Sequence, residues 1–522
     1  MSDFLFQVFC KKKFLSDCLS ISGYLIKFGN YNQTPFCDYK IALSQSRYTP
    51  VFGTERSFFG LLFCHYRVSI PYDEVLEMEV QNRVEAVCVN AVGDEIRRPL
   101  NYAFRHFRRG RFLSSKVKVF SAENIAVYFR QSIKNALYIT VRGVNVTDSR
   151  KEDLKLNLAR LLSIFFKQKK VIYLFEKENA KYEEGASIVF ERLLAEGHKN
   201  VYFSIKKDSP QLRNIPAQYQ NNVLECYSFK QYLYFFAAYS FISTEAMGHA
   251  LELRCRNKHV MRHLSSNLRY VFLQHGVMYM LSLRGKYRSS FQKASFPGRG
   301  KVVVNSQAEA EHFVELGGFY NSDLYLSGLP KFDYAVRNAE HPRILIMPTW
   351  RPWDYNLIRF DPLRTSYFKF VFNIIDRVPD ELKQYITLLP HPLLANGLQE
   401  NPLKRYIPDE FSYDEMLRET DLLITDYSSI SYDAFYRGSN VIFCWEEKDW
   451  CLEQYQNTLM LNEQNAFGDV SIRWSDLAAL IKKNYATPQS QGHIKRYRKI
   501  VFFNDGKNTD RLIKLMKRDG YI

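Results

Sequence analysis

Serines and acidic residues follow an apolar stretch in the segment DLLITDYSSISYDAFYRGSN, residues 421–440. A short strand is predicted to end there and a helix to begin, with Asp426, Tyr427, Ser428 and Ser429 at the junction. A helix N-terminus exposes unpaired N–H groups and a partial positive charge, so the serine hydroxyls could add donors for a phosphate. Ordinary helix capping uses the same residue types. The junction therefore predicts either a cap or a phosphate cradle.

The two acidic residues of this segment are expected to support the site rather than bind an anion. Asp426 would repel a phosphate, so we expect it to cap the helix or to orient a neighbour. Asp433 lies one helical turn beyond Ser429 among apolar residues, which predicts a buried bracing role.

Other apolar strands of the chain also end in polar residues. In open parallel sheets, ligands bind at the carboxyl ends of the strands. The residues at these ends are His275, Gly276, Lys331, Asp333, Thr349, Trp350, Arg351 and His391. Two histidines, an arginine, a lysine and two serines suit an anion better than an apolar ligand. Each histidine alone could be an ordinary loop residue, but their shared position at strand ends in opposite halves favours a function.

Two kinds of strand pattern indicate how these residues are positioned. Short strands without intervening helices, at residues 84–92, 116–120, 124–130 and 136–143, predict a small antiparallel sandwich or barrel. After an amphipathic helix predicted at residues 153–170, apolar strands alternate with helices, which predicts parallel sheets covered on both faces. Two such blocks in series predict two Rossmann-like halves facing each other across a cleft.

Two smaller patterns carry local predictions. Ser306 and Glu309 form a capping-box pattern at the start of a helix that ends in glycine, and His312 inside that helix is expected to be structural. The segment FRHFRRGRF, residues 104–112, places four arginines among aromatic residues. It predicts either a solvated basic hairpin or a contact with acidic lipid or a polyanionic acceptor.

Composition limits the class of protein. The 522 residues are 46% hydrophobic and 24% charged, and 72 basic against 55 acidic residues give a net charge of +17, which favours an anionic partner. Nine cysteines without a C-x-x-C pair favour a reduced compartment. No signal peptide is apparent, and the longest dense apolar run is about half of a bilayer crossing. We therefore expect a cytoplasmic protein.

The strand-end motifs together resemble the CDP-glycerol glycerophosphotransferase family, the teichoic acid and capsule polymerases. The motifs, in order, are HG at 275–276, GLPKFD at 328–333, PTWR at 348–351, HP at 391–392, LLITDYSS at 422–429 and DGKNTDRLIKLM at 505–516. The resemblance covers residues 171–516. It implies a GT-B-like pair of Rossmann-type domains, in which an acceptor hydroxyl attacks the β-phosphorus of a CDP-polyol and CMP leaves.

The resemblance also implies roles for the strand-end residues. His275 would be the general base, and His391 would act with it as a catalytic residue by stabilising the leaving CMP. The expected substrate-binding residues are Arg351, Ser428, Ser429, Thr349, Lys331, Asp426, Tyr427, Asp433 and Gly276. No metal and no cofactor besides the CDP-polyol substrate is expected. The family often has HGT-P-x-K where this chain reads HGVMYMLSLRGK, so a nearby cation would come from Arg284 or Lys286.

The predicted organisation is a basic and apolar segment at 1–36, a β-rich accessory domain at 37–148, a Rossmann-like acceptor domain at 149–336 and a Rossmann-like CDP-donor domain at 337–522. Glycerol phosphate is the expected group transferred, to a polyol-phosphate, glycan or lipid-linked acceptor, on the inner face of a bacterial membrane. A GT-B glycosyltransferase that uses a nucleotide sugar is the alternative. Nucleic-acid binding is disfavoured because the basic residues are dispersed and no RNA- or DNA-binding motif occurs.

Overall fold

The computed structural model divides the chain into two units. The β-rich unit contains Met1–Leu162 and Glu252–Ser265, and the α/β unit contains Ser163–Leu251 and Ser266–Ile522. The residues described by the structure are 4–28, 35–43, 46–78, 80–89, 95–100, 117–131, 137–264, 266–338, 342–354, 357, 362–390, 402–409 and 411–522. The predicted basic segment at 104–112 lies outside these residues.

Two antiparallel sheets form the β-rich unit. The strands are β1 (Phe4–Phe14), β2 (Cys18–Phe28), β3 (Lys40–Leu43), β4 (Ser46–Tyr48), β5 (Val51–Phe58), β6 (Leu61–Pro71), β7 (Gln81–Val89), β8 (Glu95–Pro99), β9 (Val117–Phe120), β10 (Ile125–Gln131) and β11 (Leu137–Gly143). One sheet has the order β1-β2-β6-β5, and the other has the order β4-β3-β7-β11-β10-β9 with β8 beside β7. The helices are Tyr72–Leu76, Arg150–Leu162 and Lys258–Leu264.

The core of the β-rich unit lies between its two sheets. Tyr66, Val68 and Ile70 alternate with more exposed residues along β6, and they join a cluster that also contains Val84 of β7 and Ile139 of β11. Such alternation is typical of strands with one buried face. The predicted antiparallel β-rich region is therefore confirmed. The strands begin earlier than predicted, since β1 and β2 lie within residues 1–36.

A buried ion cluster holds the segment Glu252–Ser265 in the β-rich unit. The Asp148 carboxylate accepts two hydrogen bonds from the Arg142 guanidinium, at 2.7 and 2.9 Å, and the Arg256 guanidinium lies 3.6 Å from it. Asn145 also donates to the Leu253 carbonyl at 3.0 Å. All three charged side chains are buried. The carboxylate therefore compensates two cations that water does not reach.

Two parallel sheets form the α/β unit. The first contains β12 (Val171–Phe175), β13 (Val201–Ile205), β14 (Val223–Glu225), β15 (Ala238–Ser243), β16 (Arg269–Phe272), β17 (Arg299–Val304) and β18 (Leu324–Leu326), in the order β14-β13-β12-β15-β16-β17-β18. The second contains β19 (Arg343–Ile346), β20 (Ile386–Leu388), β21 (Thr420–Thr425), β22 (Asn440–Cys444) and β23 (Asp469–Ser471), in the order β20-β19-β21-β22-β23. The predicted α/β fold with parallel sheets is confirmed.

Helices cover these sheets, and one apolar core joins them. The helices are Gly185–Ala195, Phe229–Ala237, Gln307–Gly317, Ser366–Arg377, Tyr413–Glu419, Ile430–Tyr436, Lys448–Tyr455, Leu477–Asn484, Gln491–Tyr497 and Asn508–Arg518. Every residue of β12, β21 and β22 is buried, as expected for parallel strands with helices on both faces. A single cluster contains Leu174 of the first sheet and Leu423 of the second. None of the described helices has the length and apolar character to span a bilayer.

The last helix returns to the first sheet. The backbone N–H groups of Asn508 and Thr509 donate to the Asp333 carboxylate at 2.9 and 2.7 Å. The Arg511 guanidinium donates to the Ser327 carbonyl at 3.0 Å. The GLPKFD and DGKNTDRLIKLM motifs are therefore in direct contact.

We expect Asp148→Asn to destabilise the β-rich unit by about 3–5 kcal/mol, because Arg142 then keeps its charge in a buried site without its paired carboxylate and Arg256 keeps only Asp153, at 3.9 Å. Hydrogen exchange measured by mass spectrometry on peptides from β10 and β11 reports this unit directly, whereas all five tryptophans lie in the α/β unit. The exposed Asp73→Asn variant is the control. Unchanged exchange in Asp148→Asn would show that the cluster does not stabilise this unit.

Candidate active site

The loop after β16 carries His275 and is fixed by a buried glutamine. Gln274 has a left-handed backbone, with φ of 61°. Its side-chain amide donates to the Val303 carbonyl at 2.6 Å and to Glu309 Oε1 at 3.1 Å, and its oxygen accepts from the Met278 N–H at 2.9 Å. The polypeptide on both sides of His275 is therefore tied to β17 and to the helix Gln307–Gly317.

Glu309 supports this loop from the following helix. Ser306 Oγ accepts from the Glu309 N–H at 3.2 Å, so the predicted N-cap is confirmed. The Glu309 carboxylate bonds to the backbone and side-chain nitrogens of Asn305, at 2.6 and 2.8 Å, and to Met278 N–H at 3.1 Å. Burial raises the pKa of this carboxyl despite these donors. Glu309, the second residue of the capping-box pattern, thus positions the His275 loop. The sequence did not indicate this role. His312 in the same helix is buried, as expected.

His275 is an uncharged imidazole at neutral pH. Burial, followed by the positive charges of Lys331 and Arg288, lowers the pKa of His275 to about 3. Its Nδ1 atom is buried and has no hydrogen-bond partner among the described residues. A neutral imidazole has a lone pair that can accept a proton, but a pKa of about 3 makes it a weak base, so a role as general base requires a nearby negative charge that raises this pKa.

The loops of the two parallel sheets meet at Gly276 and Ser429. A Cβ atom on Gly276 would lie 2.8 Å from Ser429 Oγ and 3.3 Å from Ser429 Cβ, so a larger residue here would force Ser429 to move. His275, Arg288 and Ser429 line one small cavity whose other walls are apolar. The structure therefore brings together His275, Gly276 and Ser429 from distant parts of the sequence.

Lys331 and Asp433 lie beneath the His275 loop as an ion pair. Lys331 Nζ donates to the His275 carbonyl oxygen at 2.9 Å and lies 2.5 Å from Asp433 Oδ1. Both side chains are largely removed from water. The pair joins the 3₁₀ helix Pro330–Tyr334 to the helix Ile430–Tyr436, and it gives Asp433 contacts suited to a bracing role.

Asp426 bonds to a neighbouring loop. Its Oδ1 atom accepts from the N–H groups of Thr349 and Tyr427, at 2.7 and 2.6 Å. The helix Ile430–Tyr436 has no side-chain hydrogen bond from its N-cap residue, Ser429. Of the two expected roles, Asp426 therefore orients a neighbour and does not cap this helix. Tyr427 is buried beside it.

Arg351 is 1% exposed, and its hydrogen bonds are made to protein groups. Its guanidinium donates to Glu447 at 2.8 Å and to the Ser366 carbonyl at 3.0 Å. Ser428 Oγ accepts from the Ile430 N–H at 3.4 Å, a long contact within its own turn. His391 lies outside the described residues. The substrate-binding roles of these residues, and that of Thr349, stay predictions.

A buried carboxyl group, which the sequence analysis missed, follows another strand of the first sheet. Glu245 lies after β15 and close to His249, with Glu245 Oε2 at 3.7 Å from His249 Nε2. Burial, followed by the charge of Glu184, raises the pKa of Glu245 to about 8. Burial and Glu184 likewise raise the pKa of Glu176, which follows β12, to about 7. Single acidic residues carry no sequence pattern, so only their burial identifies them.

We expect Glu245→Gln to reduce the pH dependence of stability. The folded-state pKa lies above the usual value of 4.5, so this group stabilises the fold at low pH and loses that contribution as pH rises through about 8. Between about pH 5 and pH 8, the free energy of unfolding should fall less steeply in the variant than in the wild type, by about 1 kcal/mol per pH unit. Urea unfolding followed by tryptophan fluorescence measures this, with the exposed Glu311→Gln as control. Parallel pH profiles for wild type and Glu245→Gln would contradict it.

Comparisons with known proteins agree with this architecture. GgaB of Bacillus subtilis (strain 168), a minor teichoic acid biosynthesis protein, is 26% identical over 374 residues, which are 66% of this chain and 39% of GgaB. TarL of Staphylococcus aureus, a teichoic acid ribitol-phosphate polymerase, is 21% identical over 241 residues, which are 41% of this chain and 40% of TarL. The chain thus spans less than half the length of these curated relatives.

A solved structure and a family model each match most of the chain. The solved structure of the wall teichoic acid polymerase TagF has a similar fold, with a TM-score of 0.52 and 16% identity over 71% of this chain and 94% of TagF. The family described as CDP-Glycerol:Poly(glycerophosphate) glycerophosphotransferase matches residues 157–517, which include both parallel sheets. The chain belongs to this family of transferase enzymes.

Proposed function

We propose that this enzyme transfers a polyol phosphate, glycerol phosphate in the first instance, from a CDP-polyol to an acceptor hydroxyl during teichoic-acid-like or capsular polymer synthesis. The observation that carries the proposal is the meeting of His275 and Ser429 at one cavity, between the two parallel sheets of a glycerophosphotransferase-family chain. A variant of TagF has also been solved with CDPG, which supports a CDP-polyol as donor. We further propose a GT-B arrangement, in which the first sheet holds the acceptor and the second holds the nucleotide.

The proposed reaction follows from the state of His275. Its neutral imidazole accepts the proton of the acceptor hydroxyl as that oxygen forms a bond to the β-phosphorus. The bond from the β-phosphorus to the bridging oxygen breaks, and its electron pair leaves with CMP. The product is a phosphodiester between the polyol and the acceptor. Ser429 would donate a hydrogen bond to the pyrophosphate, with Ser428, Thr349, Arg351 and His391 as further predicted contacts, and no resident cofactor is invoked.

His275→Ala should reduce transfer by at least about 100-fold, the usual contribution of a general base, while the affinity for CDP-glycerol stays within a few-fold. Product mass and CMP release, measured with CDP-glycerol, CDP-ribitol and CMP- or UDP-sugars, test the reaction and the polyol together. His312→Ala is the matched control, since this buried histidine lies outside the cavity. CMP release that requires a CMP-sugar, with both CDP-polyols inert, would falsify the proposal.

We also propose that the enzyme works on the inner face of an anionic membrane. On the helix Arg150–Leu162, Leu156 and Ala159 point inward, whereas Leu154, Leu158 and Leu161 are 71%, 51% and 53% exposed. The stripe of exposed leucines has basic neighbours, including Arg150, Lys151 and Lys155. An apolar stripe with basic flanks suits an anionic bilayer surface, and this supports the predicted peripheral location.

Replacing the exposed stripe, in Leu154→Ser/Leu158→Ser/Leu161→Ser, should weaken binding to vesicles that contain phosphatidylglycerol by at least about tenfold, because the apolar area available to the bilayer is lost. Vesicle co-sedimentation measures this. The control Leu326→Ser/Ile472→Ser replaces exposed apolar residues elsewhere. Equal sedimentation of both variants and the wild type would remove this helix as the docking surface.

A further inference from the structure

Arg288 lies in the segment between β16 and β17 of the first parallel sheet. This segment contains His275 and the 3₁₀ helix Lys286–Phe291. Its backbone pairs with the second half of the unit, where Ser282 N–H donates to the Thr458 carbonyl and Met460 N–H donates to the Met280 carbonyl, both at 2.9 Å. These backbone bonds set the position of Arg288 relative to both sheets.

The Arg288 guanidinium is a cation without a carboxylate. Burial lowers its pKa, and the one neighbouring group that opposes this effect is the phenol of Tyr455. Among the described residues, no side chain forms a hydrogen bond or ion pair with it. Arg351, by comparison, is buried next to Glu447. A charge that is partly removed from water is costly unless a counter-charge is present, and the described residues supply none to Arg288.

The Arg288 guanidinium shares a cavity with His275 and Ser429. Arg288 lines this cavity, and its positive charge contributes to lowering the pKa of His275. The remaining lining residues, Val277, Met278, Met280 and Leu281, have no charge to offer. A phosphate group is the anion that fits this set, because guanidinium and hydroxyl groups both donate to its oxygens.

We propose that Arg288 binds the phosphate being transferred, through its non-bridging oxygens. This inference rests on the proposed function and deepens it. A general base at His275 lies beside the attacking oxygen, which bonds to the transferred phosphorus. A cation at the same cavity therefore contacts that phosphate and not the nucleoside end. The bound anion also offsets the positive charge beside His275, which makes the imidazole a stronger base when the donor is present.

The test compares Arg288→Ala with Arg284→Ala. Arg284 belongs to the same segment, but it is exposed and its guanidinium donates to the Glu315 carbonyl at 2.8 Å. Calorimetric titration measures the affinities of each variant for CDP-glycerol and for CMP. We expect Arg288→Ala to bind CDP-glycerol at least about tenfold more weakly and CMP within about twofold of wild type, and Arg284→Ala to match the wild type for both. Arg288→Lys, which keeps the charge, should recover part of the loss.

The other outcomes decide against the assignment. An equal loss for CMP and CDP-glycerol would move Arg288 to the nucleotide phosphate, and no loss for either would remove it from the phosphate site. Titration with inorganic pyrophosphate separates this inference from the proposed function. If the wild-type enzyme binds pyrophosphate through Arg288 but binds no CDP-polyol, the proposed donor is wrong and the phosphate-binding role of Arg288 is retained. If pyrophosphate binding is lost only in Arg284→Ala, Arg288 does not bind the phosphate.

Discussion

The Lys331 ammonium holds the candidate site together, because it contacts the His275 carbonyl and the Asp433 carboxylate at once. His275 follows a strand of the first sheet and Asp433 lies in the helix that follows β21 of the second, so one buried ion pair sets how closely these two segments approach. Gly276 and Ser429 meet beside it so closely that a Cβ atom on residue 276 would displace the serine side chain. Breaking a buried pair leaves a charge uncompensated, so the structure strongly disfavours separation at this point. The Lys331 ammonium thereby fixes the relative position of the two segments and need not touch substrate.

The electrostatic character of the site follows from burial. His275 carries no charge, Arg288 carries a charge that no carboxylate of the described residues pairs with, and Glu245 holds its proton near neutral pH. The candidate site therefore has an excess of positive charge in a poorly solvated cavity. Such surroundings interact strongly with an anion because water screens the charges weakly. A phosphate-bearing substrate would then complete the charge balance that the protein leaves open.

Most strands of the parallel sheets could be predicted because short apolar runs bounded by polar residues are a local signal, whereas β14, β15 and β23 were not predicted. The convergence of His275 and Ser429 could also be predicted, since ligands bind at strand ends and two Rossmann-like halves were expected to face each other across one cleft. Arg288, by contrast, reaches the cavity through backbone pairing with residues 458–460, and no local pattern records that pairing. Asp426 was expected either to cap its helix or to orient a neighbouring residue. Only the register between β19 and β21 places it beside Thr349, which it orients. Contacts between distant segments are what the sequence alone did not supply.

The β-rich unit is completed by a segment that the ribosome makes much later. Glu252–Ser265 comes after β15 in the sequence, yet it supplies Arg256 to the buried Asp148 cluster. Roughly a hundred residues separate the two segments of this unit, and translation adds about 5–20 residues per second. The ion cluster therefore stays incomplete for several seconds of synthesis. Folding of this unit is thus coupled to translation of β12–β15, the first strands of the first parallel sheet. A fragment that ends at residue 162 lacks part of its own core.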